Sequence, residues 1–111
     1  MSSQPTVRAV RREGMHAELD LFIPASLDFF ADHFPRLAIL PGVVQVDWAI
    51  TLGREHLGLP GAFRGLRNVK FMSPVLPGAT LTLSLDRAEH ELSFAYRAGE
   101  RTFSSGRALF A

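Results

Sequence analysis

Two parts of the chain alternate apolar and polar side chains with a period of two. In segment 15–23 every second residue is apolar, namely Ala17, Leu19, Leu21 and Ile23, and segment 7–12 precedes it across a Glu13-Gly14 turn. The same period returns in segments 80–87 and 92–97. Segments 62–72 and 102–110 are also expected to be strands, and Gly-containing turns at 73–79 and 98–101 help to delimit these segments. This alternation is typical of strands that bury one face. The pattern therefore predicts an N-terminal hairpin and a C-terminal antiparallel meander.

A helical period replaces the alternation between these two groups of strands. From Val43 to Leu57, apolar residues recur at spacings of three and four in two overlapping stripes, so the first turns are apolar nearly all round. Pro41-Gly42 marks the start and Gly58 the end. We expect a long helix that is wrapped by other structure. Strands, one long helix and more strands predict an α+β fold, an antiparallel sheet curled around a helix.

Composition limits the classes of function. We expect the 111 residues, 47% of them hydrophobic, to form a single domain with a real core and a frayed end at residues 1–4. A net charge of +1 argues against nucleic-acid binding. The absence of cysteine excludes a disulfide scaffold or a cysteine metal site. No apolar run reaches the roughly 20 residues of a membrane span, and no signal-peptide core is present, so we expect a cytoplasmic protein.

One acidic residue interrupts the apolar helix. Asp47 occupies a face that is expected to be dry, where a carboxylate is costly unless it is paired, hydrated or functional. His33 precedes it by fourteen positions, in a loop bracketed by Pro35 and Pro41. Each residue alone has a structural explanation. Beside the N–H groups of a helix start, the pair supplies a base near neutral pH, an acid and oriented donors.

The order of these motifs resembles a known family. Residues 33–35 read His-Phe-Pro, residues 41–43 read Pro-Gly-Val, and Asp47 follows on the helix. This order is similar to that of the hotdog-fold 3-hydroxyacyl-[acyl carrier protein] dehydratases of fatty acid synthesis, as is Asn-Val-Lys-Phe-Met-Ser-Pro-Val-Leu-Pro-Gly at 68–78. Leu-Pro-Gly-Val-Val-Gln-Val-Asp-Trp-Ala at 40–49 is most similar to the small dehydratases of aryl polyene and related polyene lipid pathways. The resemblance covers about residues 16–87.

Three positions depart from the pattern of that family. Arg36-Leu37-Ala38 stands where Gly-x-Pro is common, so the loop after His33 is expected to follow another path. The acid is Asp47, as in the branch that also isomerises the double bond, and Thr51 replaces the usual glutamine. These departures leave the substrate length and any isomerase step open.

The resemblance implies a reaction and the residues for it. Dehydration of a 3-hydroxyacyl thioester to the trans-2-enoyl thioester would use His33 to remove the α-proton and Asp47 to help the β-hydroxyl depart. The backbone N–H of Gly42, with Val43 as a second donor, would polarise the thioester carbonyl. An alternative gives both proton transfers to His33, with Asp47 positioning water. No cofactor is needed, and the three remaining histidines are too dispersed to suggest a metal site: His16, His56 and His90.

The resemblance also implies partners. The family forms dimers whose sheets join, with each site built from His33 of one subunit and Asp47 of the other, and a larger or mixed assembly with a related chain stays open. The acyl chain would be carried on an acidic acyl carrier protein. Four basic residues either form a rim that binds it or are ordinary solvated charges: Arg36, Arg64, Arg67 and Lys70. Four aromatic residues are candidates for an acyl pocket: Phe29, Phe30, Phe34 and Trp48. Core packing is the other interpretation of the three phenylalanines.

Two other functions remain open at this point. A hotdog thioesterase would use Asp47 to activate water, but it does not need the loop histidine of His-Phe-Pro. A non-catalytic dehydratase-like subunit would bind the carrier protein or pair with an active chain. The presence of both His33 and Asp47 argues against the second reading, whereas the departure at residues 36–38 keeps it open.

Overall fold

The computed structural model describes residues 4–27 and 39–111. These residues form six strands and one helix in the order β1 (Thr6–Glu13), β2 (His16–Phe22), α1 (Gly42–Leu57), β3 (Phe63–Phe71), β4 (Thr80–Ala88), β5 (Glu91–Ala98) and β6 (Arg101–Phe110). Five residues to which the sequence assigns roles lie outside the described residues: Phe29, Phe30, His33, Phe34 and Arg36. Their roles therefore stay predictions.

The strands form one antiparallel sheet in the order β1-β2-β4-β5-β6-β3. The predicted hairpin and meander are confirmed, with strand ends within two residues of the expected ones. Gly14, at the first turn, has φ of +59°, a left-handed conformation that a glycine adopts without steric cost. Because β1 and β2 pair with each other and β2 pairs with β4, the N-terminal hairpin extends the meander instead of forming a separate layer. The predicted α+β class is confirmed.

The core lies between the helix and one face of the sheet. Helix α1 packs over the middle strands β2, β4 and β5. The alternating residues of β2 and β4 that face it are fully or almost fully buried: Ala17, Leu19, Leu21, Leu81, Leu83 and Leu85. Helix side chains that fill the other side of the core include Trp48, Ala49, Leu52 and Leu57. Burying this apolar surface is the main favourable contribution to the fold.

Helix α1 begins and ends where the sequence predicts. Pro41 is the N-cap residue, and Gly58 ends the helix in the left-handed conformation with φ of +62°. Arg87 of β4 donates from Nη1 to the carbonyl of Leu57 at 2.9 Å, which satisfies one of the open carbonyls of the last turn.

One side of α1 is not covered by the described residues. Val43 is 76% exposed, and Asp47 is also exposed. The sheet covers only the side of the helix that faces its middle strands. The opposite side faces β3, which is the last strand of the sheet and has no neighbour beyond it among the described residues.

Strand β3 is an irregular edge. Its register against β6 shifts between Phe63 and Gly65 and again between Arg67 and Lys70, and Asn68 between them has φ of +54°. Irregularities of this kind re-aim side chains and are common beside functional sites. No helix among the described residues is long and apolar enough to cross a membrane.

Candidate active site

A cavity of about 540 Å³ separates the open side of α1 from strand β3. The helix contributes Gly42, Val43, Val46, Asp47 and Ile50, and the strand contributes Phe63, Leu66, Val69 and Phe71. Asp47 is the one charged residue among these nine. The cavity can therefore accept an apolar chain and present a single carboxylate to it.

Asp47 projects from the helix into this cavity and is exposed. The expectation of a dry carboxylate is wrong, because the two stripes of α1 pack differently: one contacts the sheet, and the other borders the cavity. Among the described residues Asp47 forms no ion pair. Burial and, to a smaller extent, the nearby Asp47 raise the pKa of the buried Tyr96.

The start of the helix forms one end of the cavity. Pro41 makes no side-chain cap, and the first-turn N–H groups of a helix have no acceptor within it. These N–H groups carry the positive end of the helix dipole, which favours an oxygen that gains negative charge. Gly42 and the exposed Val43 both line the cavity, as does Asp47 one turn later. The structure thus brings together the predicted carboxylate and the two predicted backbone donors.

Phe71 divides the space around the helix start. A Cβ placed on Gly42 would lie 2.6 Å from the Phe71 ring, so the ring rests directly on the glycine. On the other side of this contact lies a second cavity of about 420 Å³. Gly42 and Phe71 line both cavities, and the second is completed by Ile39, Leu40, Pro41, Gln45, Met72, Ser73 and Pro74. Phe71 is 52% exposed, so its ring has room to move.

Gln45 is a polar residue of the site region that the sequence analysis missed. It is 3% exposed, and its side chain forms hydrogen bonds with the carbonyl of Leu40 and the hydroxyl of Ser104. A glutamine two positions before the aspartate, within the apolar stripes, was the available signal. Its partner Ser104 is 59 positions away, and no sequence period connects the two.

Trp48 does not line either cavity beside the helix start. It is 2% exposed and belongs to the core cluster. Its position directly after Asp47 turns it by about a hundred degrees around the helix, away from the cavity. The prediction that Trp48 lines an acyl pocket therefore finds no support in these two cavities.

The described basic residues of the expected rim lie on β3, but they do not line the cavity. Arg67 pairs with Arg107 and Lys70 pairs with Ser105, and directly paired residues share a face of the sheet. Arg107 and Ser105 alternate with the buried residues of β6, so they face outward. Arg67 and Lys70 thus project from the outer face of the strand whose inner face borders the cavity. Arg64 is exposed near the start of the strand.

The outer face of the sheet carries an ionic network away from the cavity. His16 contacts Asp86 at 2.7 Å through Nδ1 and Glu18 at 3.4 Å through Nε2, and the hydrogen bond to Asp86 is the main cause of its raised pKa. Arg11 binds Asp20 through two hydrogen bonds of 2.8 Å and lowers the pKa of that carboxyl to about 2. The described residues contain no group of side chains suited to hold a metal ion. His16 lies at the surface, with its side chain 41% exposed.

The chain is an α+β protein with an apolar cavity between one helix and an edge strand, and comparisons identify the family. The sequence model of the ApeI-like family, described as ApeI dehydratase, matches residues 9–107. The chain belongs to this family. The resemblance to hotdog-fold dehydratases that the sequence motifs indicate is confirmed.

Curated relatives point to the same group. A 3-hydroxyacyl-[acyl-carrier-protein] dehydratase FabZ from Erythrobacter litoralis is 43% identical over 68 residues, which cover 53% of this chain and 45% of the relative. The FabZ from Bacillus velezensis is 33% identical over 81 residues, which cover 67% of this chain and 57% of the relative. The chain thus spans about half the length of the curated relatives it matches.

Solved structures match over nearly the whole chain. The dehydratase heterocomplex ApeI:P from Xenorhabdus doucetiae has a TM-score of 0.91 and 32% identity, and the match covers 97% of this chain and 98% of that one. An uncharacterised protein from Erwinia carotovora subsp. atroseptica has a TM-score of 0.77 and 32% identity, with coverage of 97% and 94%. The dehydratase domain of PpsC from Mycobacterium tuberculosis, at 19% identity, 95% and 43% coverage and a TM-score of 0.65, shares the fold alone. The predicted hotdog fold is confirmed.

Proposed function

We propose that this protein dehydrates 3-hydroxyacyl thioesters to trans-2-enoyl thioesters. The observation that carries the proposal is the cavity between α1 and β3, in which one carboxylate and the open end of a helix share an otherwise apolar wall. An apolar cavity of this size suits an acyl chain, and the helix end suits the thioester carbonyl. Membership of the ApeI-like dehydratase family supports this reaction over other chemistry at the same site.

The proposed mechanism assigns one task to each group. His33, as the neutral base, removes the proton from the α-carbon, and the electron pair moves toward the thioester carbonyl. The N–H groups of Gly42 and Val43 stabilise the negative charge that develops on the carbonyl oxygen. The electrons then return to form the α–β double bond, while Asp47 gives a proton to the β-hydroxyl, which leaves as water. His33 transferring both protons, with Asp47 orienting water, is the alternative assignment.

We propose that two chains combine to complete each site, with His33 of one chain facing Asp47 of the other. Strand β3 is an edge of the sheet, and edges with free N–H and C=O groups pair readily with another chain. The surface beside it is apolar and open, since Val43 is 76%, Leu66 45% and Phe71 52% exposed. The second chain is either another copy or a related protein; the similar ApeI:P structure is a heterocomplex.

We propose an acyl carrier protein as the donor of the substrate, bound through Arg36, Arg64, Arg67 and Lys70. Three of these lie on or beside the outer face of β3, next to the cavity, and a cationic surface attracts an acidic carrier. Arg67→Glu with Lys70→Glu should weaken carrier binding at low salt, whereas Arg12→Glu, on the opposite edge strand β1, should not. If neither the double substitution nor a higher salt concentration weakens carrier binding, these basic residues do not form the binding surface.

The reaction can be tested in reverse with a trans-2-enoyl thioester. Dehydratase chemistry predicts addition of water across the double bond without release of the thiol. A thiol reagent in the same assay detects hydrolysis of the thioester, the reaction of the alternative thioesterase. Release of thiol without hydration contradicts the proposal, and so does tight binding of the thioester with neither reaction.

A further inference from the structure

The side chain of Gln45 is a buried amide whose nitrogen and oxygen both form hydrogen bonds. Its Nε2 donates to the carbonyl of Leu40 at 3.1 Å, and its Oε1 accepts from the hydroxyl of Ser104 at 2.7 Å. Ser104 is 0% exposed and Gln45 is 3% exposed. A buried amide is costly unless it is hydrogen-bonded, and each bond here fixes the orientation of the other. Strand β6 therefore sets the direction in which Gln45 points its N–H groups.

Gln45 and the backbone of the segment between β3 and β4 together hold Leu40. The N–H of Leu40 donates to the carbonyl of Val75 at 2.8 Å, while its carbonyl accepts the hydrogen bond from Gln45. Leu40 is 1% exposed, so water does not compete for these groups. The chain is thus fixed on both sides just before the helix begins.

Few rotations separate Leu40 from the N–H of Gly42. The Leu40–Pro41 peptide is planar, and the pyrrolidine ring holds φ of Pro41, which is −58°. Only ψ of Pro41 remains. The Pro41 carbonyl, in the same peptide plane as the Gly42 N–H, accepts from the N–H groups of Val44 at 3.1 Å and Gln45 at 3.2 Å. The position of Leu40 and the first helical turn therefore determine where the Gly42 N–H points.

We infer that Gln45 is a positioning residue for the reaction: held by Ser104, its amide fixes the Leu40–Pro41 peptide and so aims the Gly42 N–H at the substrate carbonyl. The inference rests on the proposed function, in which that N–H polarises the thioester. Gln45 lines the second cavity and not the cavity that holds Asp47, so it acts through the backbone and does not contact the reacting atoms.

A second bond allows this role to be separated from simple anchoring of the helix. The hydroxyl of Tyr96 donates to the main-chain carbonyl of Gln45 at 2.6 Å, which ties the same turn of α1 to strand β5. Tyr96 is 0% exposed. This bond docks the helix on the sheet but does not reach Leu40. Tyr96→Phe therefore removes a buried hydrogen bond at the same place without releasing the Leu40–Pro41 peptide, and it is the matched control.

The test compares Gln45→Met, Ser104→Ala and Tyr96→Phe in the dehydration assay and in isotope-edited infrared spectra. Methionine has nearly the length of glutamine but makes neither hydrogen bond. We expect Gln45→Met to lower kcat and kcat/KM together by about ten- to a hundredfold, the cost of misplacing a group by about an ångström. Ser104→Ala should lower both by a smaller factor, and Tyr96→Phe should change kcat by less than about threefold.

The infrared probe is a saturated acyl thioester labelled with ¹³C at the carbonyl, which binds but cannot lose water. Bound to the wild-type protein, its carbonyl stretch should move to lower frequency than in water, because the N–H of Gly42 polarises the bond. Gln45→Met should move the stretch back toward the value in water, whereas Tyr96→Phe should keep the wild-type frequency. A merely structural role of Gln45 would not separate the two variants in this way.

The possible results distinguish this inference from the proposed function. If the wild-type protein dehydrates the substrate and Gln45→Met retains both kcat and the shifted carbonyl stretch, the positioning role is wrong and the dehydratase stands. If Gln45→Met does not fold, Ser104→Ala decides by the same criteria. A wild-type protein that neither dehydrates 3-hydroxyacyl thioesters nor shifts the carbonyl stretch overturns the proposed function itself, and the role of Gln45 with it.

Discussion

The ring of Phe71 rests on Gly42, so closely that a Cβ at position 42 would lie 2.6 Å from it. This contact joins the edge strand β3 to the first turn of α1 and separates two cavities at the point where the substrate carbonyl is proposed to bind. The absence of a side chain at Gly42 thus allows both the ring contact and a close approach of a ligand to the backbone.

Gly42→Ala tests this contact. The methyl group must displace the Phe71 ring, which can swing outward because it is half-exposed, and alanine favours the helix over glycine by about 1 kcal/mol. We expect the free energy of unfolding to change by less than about 1 kcal/mol while kcat/KM falls at least about tenfold. Chemical denaturation and the dehydration assay measure the two quantities.

A double substitution identifies the cause of that loss. Phe71→Leu in the Gly42→Ala background leaves room for the methyl group and should recover most of the activity, with Phe71→Leu alone as the control. A double variant that is no more active than Gly42→Ala would show that the ring contact is not the cause.

Asp47→Asn tests the carboxylate of the cavity. One well-placed acid or base contributes about a hundred- to ten-thousandfold in rate, so turnover should fall at least about a hundredfold. Because Asp47 is exposed, the free energy of unfolding should change by less than about 0.5 kcal/mol. Glu55→Gln is the matched control, since it neutralises an exposed carboxylate of the same helix outside the cavity. Turnover of Asp47→Asn within tenfold of wild type contradicts the assignment.

Local sequence patterns predict the helix and the strands, but not the contacts that depend on how these elements pack together. The helix and strands β2, β4 and β5 follow from periods of 3.6 and 2 that are present within each segment. The other strands were predictable mainly from the turns beside them. The environment of Asp47 was not, because it depends on how far the sheet curls around the helix. The same limit applies to Trp48: adjacent positions on a helix that is apolar nearly all round face different neighbours. The bond between Gln45 and Ser104 joins segments that only the folded sheet brings together.

Gly106→Ala tests the packing behind β3. An added Cβ would lie 2.8 Å from Val69 Cγ2 and 3.0 Å from the Phe94 ring, and Gly106 is buried. Overpacking of a core position costs about 1–3 kcal/mol, and we expect a loss of unfolding free energy in this range. Ser105→Ala, the adjacent residue on the outer face of β6, should cost less than about 0.5 kcal/mol. Equal stability of the two variants would contradict the close packing of Gly106 against Val69 and Phe94.

His16 should make stability depend on pH. Its pKa is raised above the ordinary value of 6.5, mainly by the hydrogen bond to Asp86. A raised pKa in the folded state means that the protonated imidazole stabilises the fold. The contribution is fully present below pH 6.5 and is lost as the pH rises through the raised pKa. His16→Gln should therefore lower the free energy of unfolding below pH 6.5 and leave it nearly unchanged at a pH well above the raised pKa of His16.

Arg11→Gln provides the contrast for that pH series. The pKa of Asp20 is about 2 beside Arg11, so its contribution is lost only in strong acid, as the pH falls through that value. The effect of Arg11→Gln should be constant across the range in which that of His16→Gln disappears. A constant effect of His16→Gln across the same range would contradict the role of the imidazole charge.

The central claim is that His33 and Asp47 together remove water from a 3-hydroxyacyl thioester. The most direct measurement is mass spectrometry of a mixture of 3-hydroxyacyl chains of several lengths on the carrier protein, treated in parallel with the wild-type protein, His33→Ala and Asp47→Ala. We expect the wild-type protein alone to remove the mass of one water from the chains that it accepts. Equal water loss with His33→Ala or Asp47→Ala, or loss of the whole acyl group with the wild-type protein, would contradict the account.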